Sequence, residues 1–250
     1  MKIPHSVRHW IKFMAIALLT LAVACQGYAK SPVGSTTQPA SPLVSLTSQP
    51  TVSVSTRSTP VAANTQAASA QLVDIRSLHT GIRLDLRYAT ANNFLHRPLY
   101  KESRCLLRAI AAQQLSQVQA DLETIGLGLK VYDCYRPLSV QKEMWKLFPN
   151  ALYVANPAYG SRHNRGAAVD LTLVDRAGNE LTMPTAFDAF TEQAASDYEG
   201  ASPQATQNRQ RLQDAMTKRD FQTLESEWWH FDAAGWAQFP VMDIPLEASL

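Results

Sequence analysis

Two short segments of this 250-residue chain carry imidazoles and carboxylates at spacings that can hold and use a metal ion. SRHNRGAAVD sets His163 and Asp170 seven residues apart, and roughly sixty residues later EWWH sets Glu227 three before His230. Two histidines and one aspartate form a zinc ligand set whose fourth tetrahedral position stays open to water, as a catalytic zinc requires. On this reading His163, Asp170 and His230 hold one Zn2+ per chain. Glu227 is the general base that takes the water's proton and later passes it to a leaving group. Of the six histidines, His5 and His9 lie in the N-terminal leader and His79 and His96 have no patterned neighbours. Each of these residues taken singly has an ordinary explanation as a solvent-facing side chain, so the combination carries the reading. Trp228 and Trp229 read as packing around the site.

The elements that must position these residues can be read from periodicity. Ile82, Leu84, Leu86 and Tyr88 alternate with Arg83, Asp85 and Arg87, the period of a half-buried strand, and Leu127 to Asp133 gives a second strand. Between them Leu106, Leu107, Ile110, Ala111, Leu115, Val118, Leu122 and Ile125 recur at helical spacing, with Gly126 as the stop. A short helix is expected over Val140 to Phe148, a strand over Ala168 to Val174, a helix from Ser202-Pro203 to about Lys218, and a last strand over Trp228 to Asp232. Asn164-Arg165-Gly166 is a turn signal that brings His163 in ahead of the strand carrying Asp170. On that strand Val169, Leu171 and Leu173 face the core, while Ala168, Asp170 and Thr172 share the other face. Glu227 and His230 would point to opposite faces of a regular strand, so the chain must bend between them, with Glu227 on a turn. No doubly wound βαβ repetition appears. The expected class is α+β, a small mainly antiparallel sheet with packed helices and the zinc site on the sheet.

Composition bounds the rest. A hydrophobic fraction of 46% supports a full core, and the formal charge of +2 resides in the leader, where Lys2, Arg8 and Lys12 face no acidic residue. Nucleic acid is not an expected partner. The charged head followed by an apolar run from Phe13 to Ala24 reads as an export signal over residues 1–25, too short to span a bilayer. Its end admits two readings. Ala22-Val23-Ala24 satisfies ordinary cleavage, whereas Leu21-Ala22-Val23-Ala24-Cys25 resembles a bacterial lipobox with its leucine one position early, which makes Cys25 a lipidation candidate and a membrane attachment point. Residues 26–70 are rich in Ser, Thr, Pro, Ala and Gln, and from Ser31 onward carry only Arg57 as a charge, so they read as a linker spanning on the order of 35 Å. The folded domain is expected over residues 71–250, in an exported, periplasmic or lipid-anchored protein.

SRHNRGAAVD resembles the S-x-H-x-x-G-x-A-x-D signature, and EWWH the E-x-W-H signature, of zinc D-alanyl-D-alanine dipeptidases, the VanX-like branch of a group that also holds zinc D,D-carboxypeptidases. The resemblance covers nearly all of Leu72 to Pro240, including DLRYATANNF, DCYRP, FDAF and QNRQRL. It implies His163, Asp170 and His230 as zinc ligands and Glu227 as catalytic base and acid. It further implies Arg136 as the group stabilising the tetrahedral intermediate, and Tyr88 and Asp188 as holders of the ammonium group of a small dipeptide substrate. For Arg136 the ordinary alternative is a surface salt bridge with Asp133, for Asp188 a turn or cap residue, and for Tyr88 a core side chain on a strand face.

One departure stands out. The position after Asp133, often glycine in the family, is Cys134, and Cys105 begins the preceding helix. In an exported protein these two read as a disulfide, the alternative being two buried free thiols. Two other function classes stay open beside the dipeptidase: a D,D- or L,D-carboxypeptidase or endopeptidase acting on peptidoglycan peptides, and a non-catalytic zinc-containing binding module.

Overall fold

The computed structural model describes residues 70–248. The expected leader, the lipidation candidate Cys25 and the linker up to residue 69 lie outside the described residues, as do positions 249 and 250. Among the described residues no helix is long and apolar enough to cross a membrane.

In chain order the elements are β1 (Leu72–Asp74), β2 (Arg83–Leu84), β3 (Leu106–Arg108), α1 (Ala109–Glu123), β4 (Leu127–Asp133), α2 (Leu138–Leu147), β5 (Ala168–Asp175), α3 (Pro203–Thr217), β6 (Phe221–Leu224) and β7 (Glu227–Ala233). Five strands form one sheet in the order β2-β4-β5-β7-β6, and β1 pairs with β3 in a second, two-stranded sheet. Among the described residues only β2 and β4 run parallel, and the other strand pairs are antiparallel. The class is α+β, as the periodicities imply.

β4 and β5 form the centre. Val169, Leu171 and Leu173 lie in the main core with Leu129 and Val131, under Ala111, Ala112, Leu115, Val118 and Leu122 of α1 and Leu212 and Met216 of α3. Each fully buried Leu in that layer contributes about 1.5–3 kcal/mol of burial free energy. Ser202 caps α3 by accepting from the Ala205 N–H, with Pro203 in the first turn. Gly126 follows the end of α1 at φ +77, where a β-carbon would be strained.

Several expected elements are placed differently. Leu106 and Leu107 belong to β3, because pairing with Val73 and Asp74 captures them before the helix starts at Ala109; Cys105 therefore precedes a strand and does not begin a helix. Ile110 and Ile125, expected on the buried face, are exposed, Ile125 lying beyond the last helical turn. The strand expected over Ile82 to Tyr88 pairs only at Arg83 and Leu84. The inward positions Ile82, Leu86 and Tyr88 are buried as the alternation implies, but the chain leaves β4 and turns into a 3-10 helix over Arg87–Ala89. Tyr88 thus sits on that turn and not on a strand face.

Cys105 and Cys134 are joined by a disulfide, with their Cα atoms 5.2 Å apart. It ties the lead-in to β3 to the segment just after β4. Closing a loop of about 30 residues should stabilise the fold by roughly 3–4 kcal/mol on the chain-entropy model. Cys105→Ser is expected to lower the unfolding free energy by that order in urea denaturation. A variant as stable as the oxidised wild type would show that the bridge contributes nothing.

Candidate metal centre

Three adjacent strands set the geometry. In the β4/β5 register Asp133 stands opposite Asp170, and in the β5/β7 register Asp170 stands opposite His230. One row across the sheet therefore carries all three side chains. An irregularity in β4 between Val131 and Asp133 keeps that row in step.

His163 enters from the side, on a 3-10 turn over His163–Arg165 that ends at Gly166 with φ +68. A β-carbon on Gly166 would come within 2.6 Å of Leu72 Cδ2, so both the handedness and the space require glycine. Buried Asn164 fixes the turn: its side-chain amide donates to the Arg136 carbonyl at 2.7 Å and its Oδ1 accepts from the Ser161 N–H at 2.6 Å. The Arg136 N–H in turn donates to the His163 carbonyl at 3.2 Å.

Glu227 is the first residue of β7, following the two-residue turn at Glu225-Ser226, and not on the turn itself. Its partner is Leu224, whereas Thr223 already pairs with Phe231, so β7 bulges between Glu227 and Phe231. This is the bend that the EWWH spacing demands. It brings Glu227 Oε2 to 3.8 Å from His230 Nδ1.

His163 Nε2, Asp170 Oδ1 and His230 Nδ1 converge, at 3.1 Å between the two nitrogens, 3.3 Å from His163 Nε2 to Asp170 Oδ1, and 3.0 Å from His230 Nδ1 to Asp170 Oδ1. The outer nitrogens decide what these atoms are. His163 Nδ1 lies 2.8 Å from the Cys134 carbonyl and His230 Nε2 lies 3.0 Å from Asp232 Oδ1. A carbonyl and a carboxylate only accept, so each outer nitrogen carries a hydrogen, and each ring in its neutral form would turn a lone pair inward. Two lone pairs and a carboxylate oxygen at these separations repel one another unless a metal ion, or a proton on His230 Nδ1, lies among them. The three residues are buried and their donor atoms lie within 4.8 Å of one another, a set that fits zinc.

Without a metal ion, a proton answers the same surplus of negative charge. Burial alone would lower the His230 pKa, yet the hydrogen bonds and charges of Asp170 and Asp232 push it up to about 10. Burial opposes ionisation of Asp170, but His163 and His230 hold it below the ordinary carboxylate range. Burial raises Glu227, with Asp170 adding to the rise and His230, His163 and Arg136 opposing it. A carboxyl with a raised pKa next to the inward-facing ring atoms suits proton transfer.

Arg136 does pair with Asp133, but the pair is buried, not on the surface. Nε and Nη2 donate to Asp133 Oδ2 at 3.1 and 2.6 Å, and Nη1 donates to Gln141 Oε1 at 2.8 Å. Tyr100 donates its hydroxyl to the other Asp133 oxygen at 2.6 Å. The guanidinium is thereby held rigid while still lining the cavity, its Cζ 5.0 Å from the centroid of the Tyr88 ring. The Tyr88 hydroxyl donates to Asp188 at 3.0 and 3.2 Å. Asp188 stands in a loop with φ +59, an uncommon backbone for a residue other than glycine. Burial, reinforced by Asp170, raises its pKa well above the usual carboxylate value despite the Tyr88 bond and Arg136.

A cavity of about 450 Å³ joins these groups; its lining includes Tyr88, Arg136, His163, Asp188, Glu227 and His230. All seven residues singled out for metal, catalysis or substrate thus line or face one space. Trp228 and Trp229 are core residues, Trp229 also reaching the cavity wall. Sequence reasoning passed over Asp232, although its place two residues after His230 on the same strand face was a usable signal. It likewise treated Asp133 only as a rival explanation for Arg136, and it had no signal for Tyr100, Gln141 or Asn164, whose roles arise from tertiary contacts.

The chain matches the family model described as D-ala-D-ala dipeptidase, peptidase M15, over residues 68–244. It is 36% identical over 172 residues to the D-alanyl-D-alanine dipeptidase of Escherichia coli (strain K12), covering 69% of this chain and 89% of that protein. It is 32% identical over 177 residues to the D-alanyl-D-alanine dipeptidase of Enterococcus faecalis (strain ATCC 700802 / V583), covering 60% of this chain and 85% of that one.

A chelated domain should feel the missing cation in a pH-dependent way. The folded pKa of His230, about 10, lies above the unfolded value near 6.5. Its contribution to stability is present in full below about pH 6.5 and is lost as pH rises toward 10. Metal-free protein should therefore lose thermal stability between roughly pH 7 and 9, while zinc-loaded protein holds it. Equal melting temperatures for the two forms at pH 9 would count against a metal at this cluster.

Proposed function

Because the chain belongs to the D-ala-D-ala dipeptidase family of peptidase M15, we propose that it is a zinc metallopeptidase that hydrolyses the free dipeptide D-alanyl-D-alanine, with one zinc per chain held by His163, Asp170 and His230. The observation that carries this reading is the convergence of three inward-facing donors beside a carboxylate of raised pKa. Zinc held by these three residues would supply a Lewis acid for the scissile carbonyl and would lower the pKa of a bound water to roughly 7.

The protein's own groups do the rest. Glu227 accepts the proton of the attacking water and delivers it to the nitrogen of the departing D-alanine. Arg136 faces the oxygen on which negative charge grows. Its clamp on Asp133 and Gln141 means that little reorganisation is needed when the charge appears. Asp188, with Tyr88 donating to it, receives the substrate ammonium. In the empty pocket burial disfavours its charge, and a cationic amine arriving there restores it.

The Asp188 and Tyr88 pair favours a free amino terminus, and so the dipeptide over longer peptidoglycan peptides. Export, with either plain cleavage or lipid attachment at Cys25, follows from the leader. The linker would let an anchored domain work at a distance from its membrane.

Glu227→Gln should keep zinc and fold but lower turnover by at least the ~10²–10⁴-fold typical of general acid–base catalysis. Arg136→Ala should reduce kcat far more than it raises KM. Near-normal turnover in the Glu227 variant would sink the mechanism.

For the substrate end, Asp188→Asn should cost on the order of tenfold or more in kcat/KM on D-alanyl-D-alanine, since a charge-assisted hydrogen bond is worth roughly 1.5–3 kcal/mol. N-acetylating the substrate should harm the wild type much more than the variant. Equal cleavage of free and N-acetylated substrates by the wild type would favour the carboxypeptidase reading.

A further inference from the structure

The two histidines of the cluster differ in what holds their outer nitrogens. His163 leans on a backbone carbonyl, whereas His230 leans on the side chain of Asp232. Residues 230 and 232 share one face of β7 through the period of two, so the acceptor sits on the same strand as the ring it holds. Asp232 is only 2% exposed. Its other oxygen, Oδ2, accepts from Arg162 Nη1 at 2.6 Å, and the Arg162 guanidinium lies over the Trp236 ring with Cζ 4.8 Å from the centroid.

A backbone carbonyl would suffice to fix the tautomer of His230. A carboxylate does more: its full negative charge makes the ring a stronger electron-pair donor at Nδ1. A carboxylate with no counter-charge would be costly to bury so deeply, and Arg162 supplies that counter-charge from the cavity rim. We infer that Asp232 is a positioning residue for the metal, fixing the orientation and tautomer of His230 and strengthening it as a ligand, while Arg162 keeps the carboxylate tolerable in its buried place. This rests on the reading of His230 as a zinc ligand.

The test measures zinc affinity by chelator competition on the purified full chain, with metal-free thermal melts as the control for folding. Asp232→Ala should weaken zinc about 10–100-fold. Asp232→Asn, whose amide oxygen can still accept from Nε2, should recover part of that loss, and it carries the test if the alanine variant does not fold. Arg162→Ala should keep zinc affinity within a few fold of wild type while lowering the melting temperature, since it removes the counter-charge and leaves the acceptor. Wild-type affinity in Asp232→Ala would overturn the inference. Equal losses in Asp232→Ala and Arg162→Ala would do the same, by making the pair a plain structural ion pair. His230→Ala separates the two levels: if it loses zinc while Asp232→Ala keeps it, only the role of Asp232 fails. If His230→Ala itself keeps zinc, the metal assignment fails, and the inference with it.

Discussion

Three electron-pair donors held within 3.3 Å of one another are the constraint around which this domain is organised. Left alone they repel, so something must force them together and a positive charge must reconcile them. The forcing comes from backbone hydrogen bonds: the β4/β5/β7 register aligns Asp133, Asp170 and His230 in one row, and the Gly166 turn brings His163 over its end. Apolar burial under α1 and α3 secures that register, because Val169, Leu171 and Leu173 leave the core if β5 slips by one residue. The helices therefore support the chemistry without contributing a ligand to it.

Around the cluster the buried charges form a larger balance. Asp133, Asp170, Asp188, Glu227 and Asp232 crowd one region, answered on the protein side by Arg136 and Arg162. The excess of carboxylates is a stored preference for cations, and it is spent at two points: among the ligands, and at Asp188, where the pocket wall carries a carboxyl whose charge burial disfavours. On the proposed reading, a metal ion and a substrate amine would satisfy the same surplus within one cavity.

Much of this was legible in the sequence because the chemistry is local there. SRHNRGAAVD contains a candidate ligand, a turn and a second candidate ligand on a strand, and EWWH contains a candidate base, a forced bend and a candidate ligand, so spacing alone dictated the bulge that β7 shows. Long strands with full ladders, β4 and β5, fell where alternation and apolar runs put them. The failures share one cause. Leu106 and Leu107 fit a helical period but are claimed by a distant strand, and Ile82 to Tyr88 fit a strand but outrun the partner available at the sheet edge. Tertiary pairing overrode local pattern in both cases. Tyr100, Gln141 and Asn164, which orient the site, became evident only from tertiary contacts, whereas Asp232 shares its strand with His230 and was within reach of the sequence.

Cys134 joins two of these layers in a single residue. Its sulfur closes the bridge to Cys105, and its carbonyl receives the hydrogen of His163 Nδ1. The aim of one imidazole is thus set by a backbone segment that a covalent cross-link pins. In a chain whose thiols are reduced, His163 would rest against an untethered segment. Oxidation steadies that segment, so the bridge fastens one wall of the cluster as well as the fold.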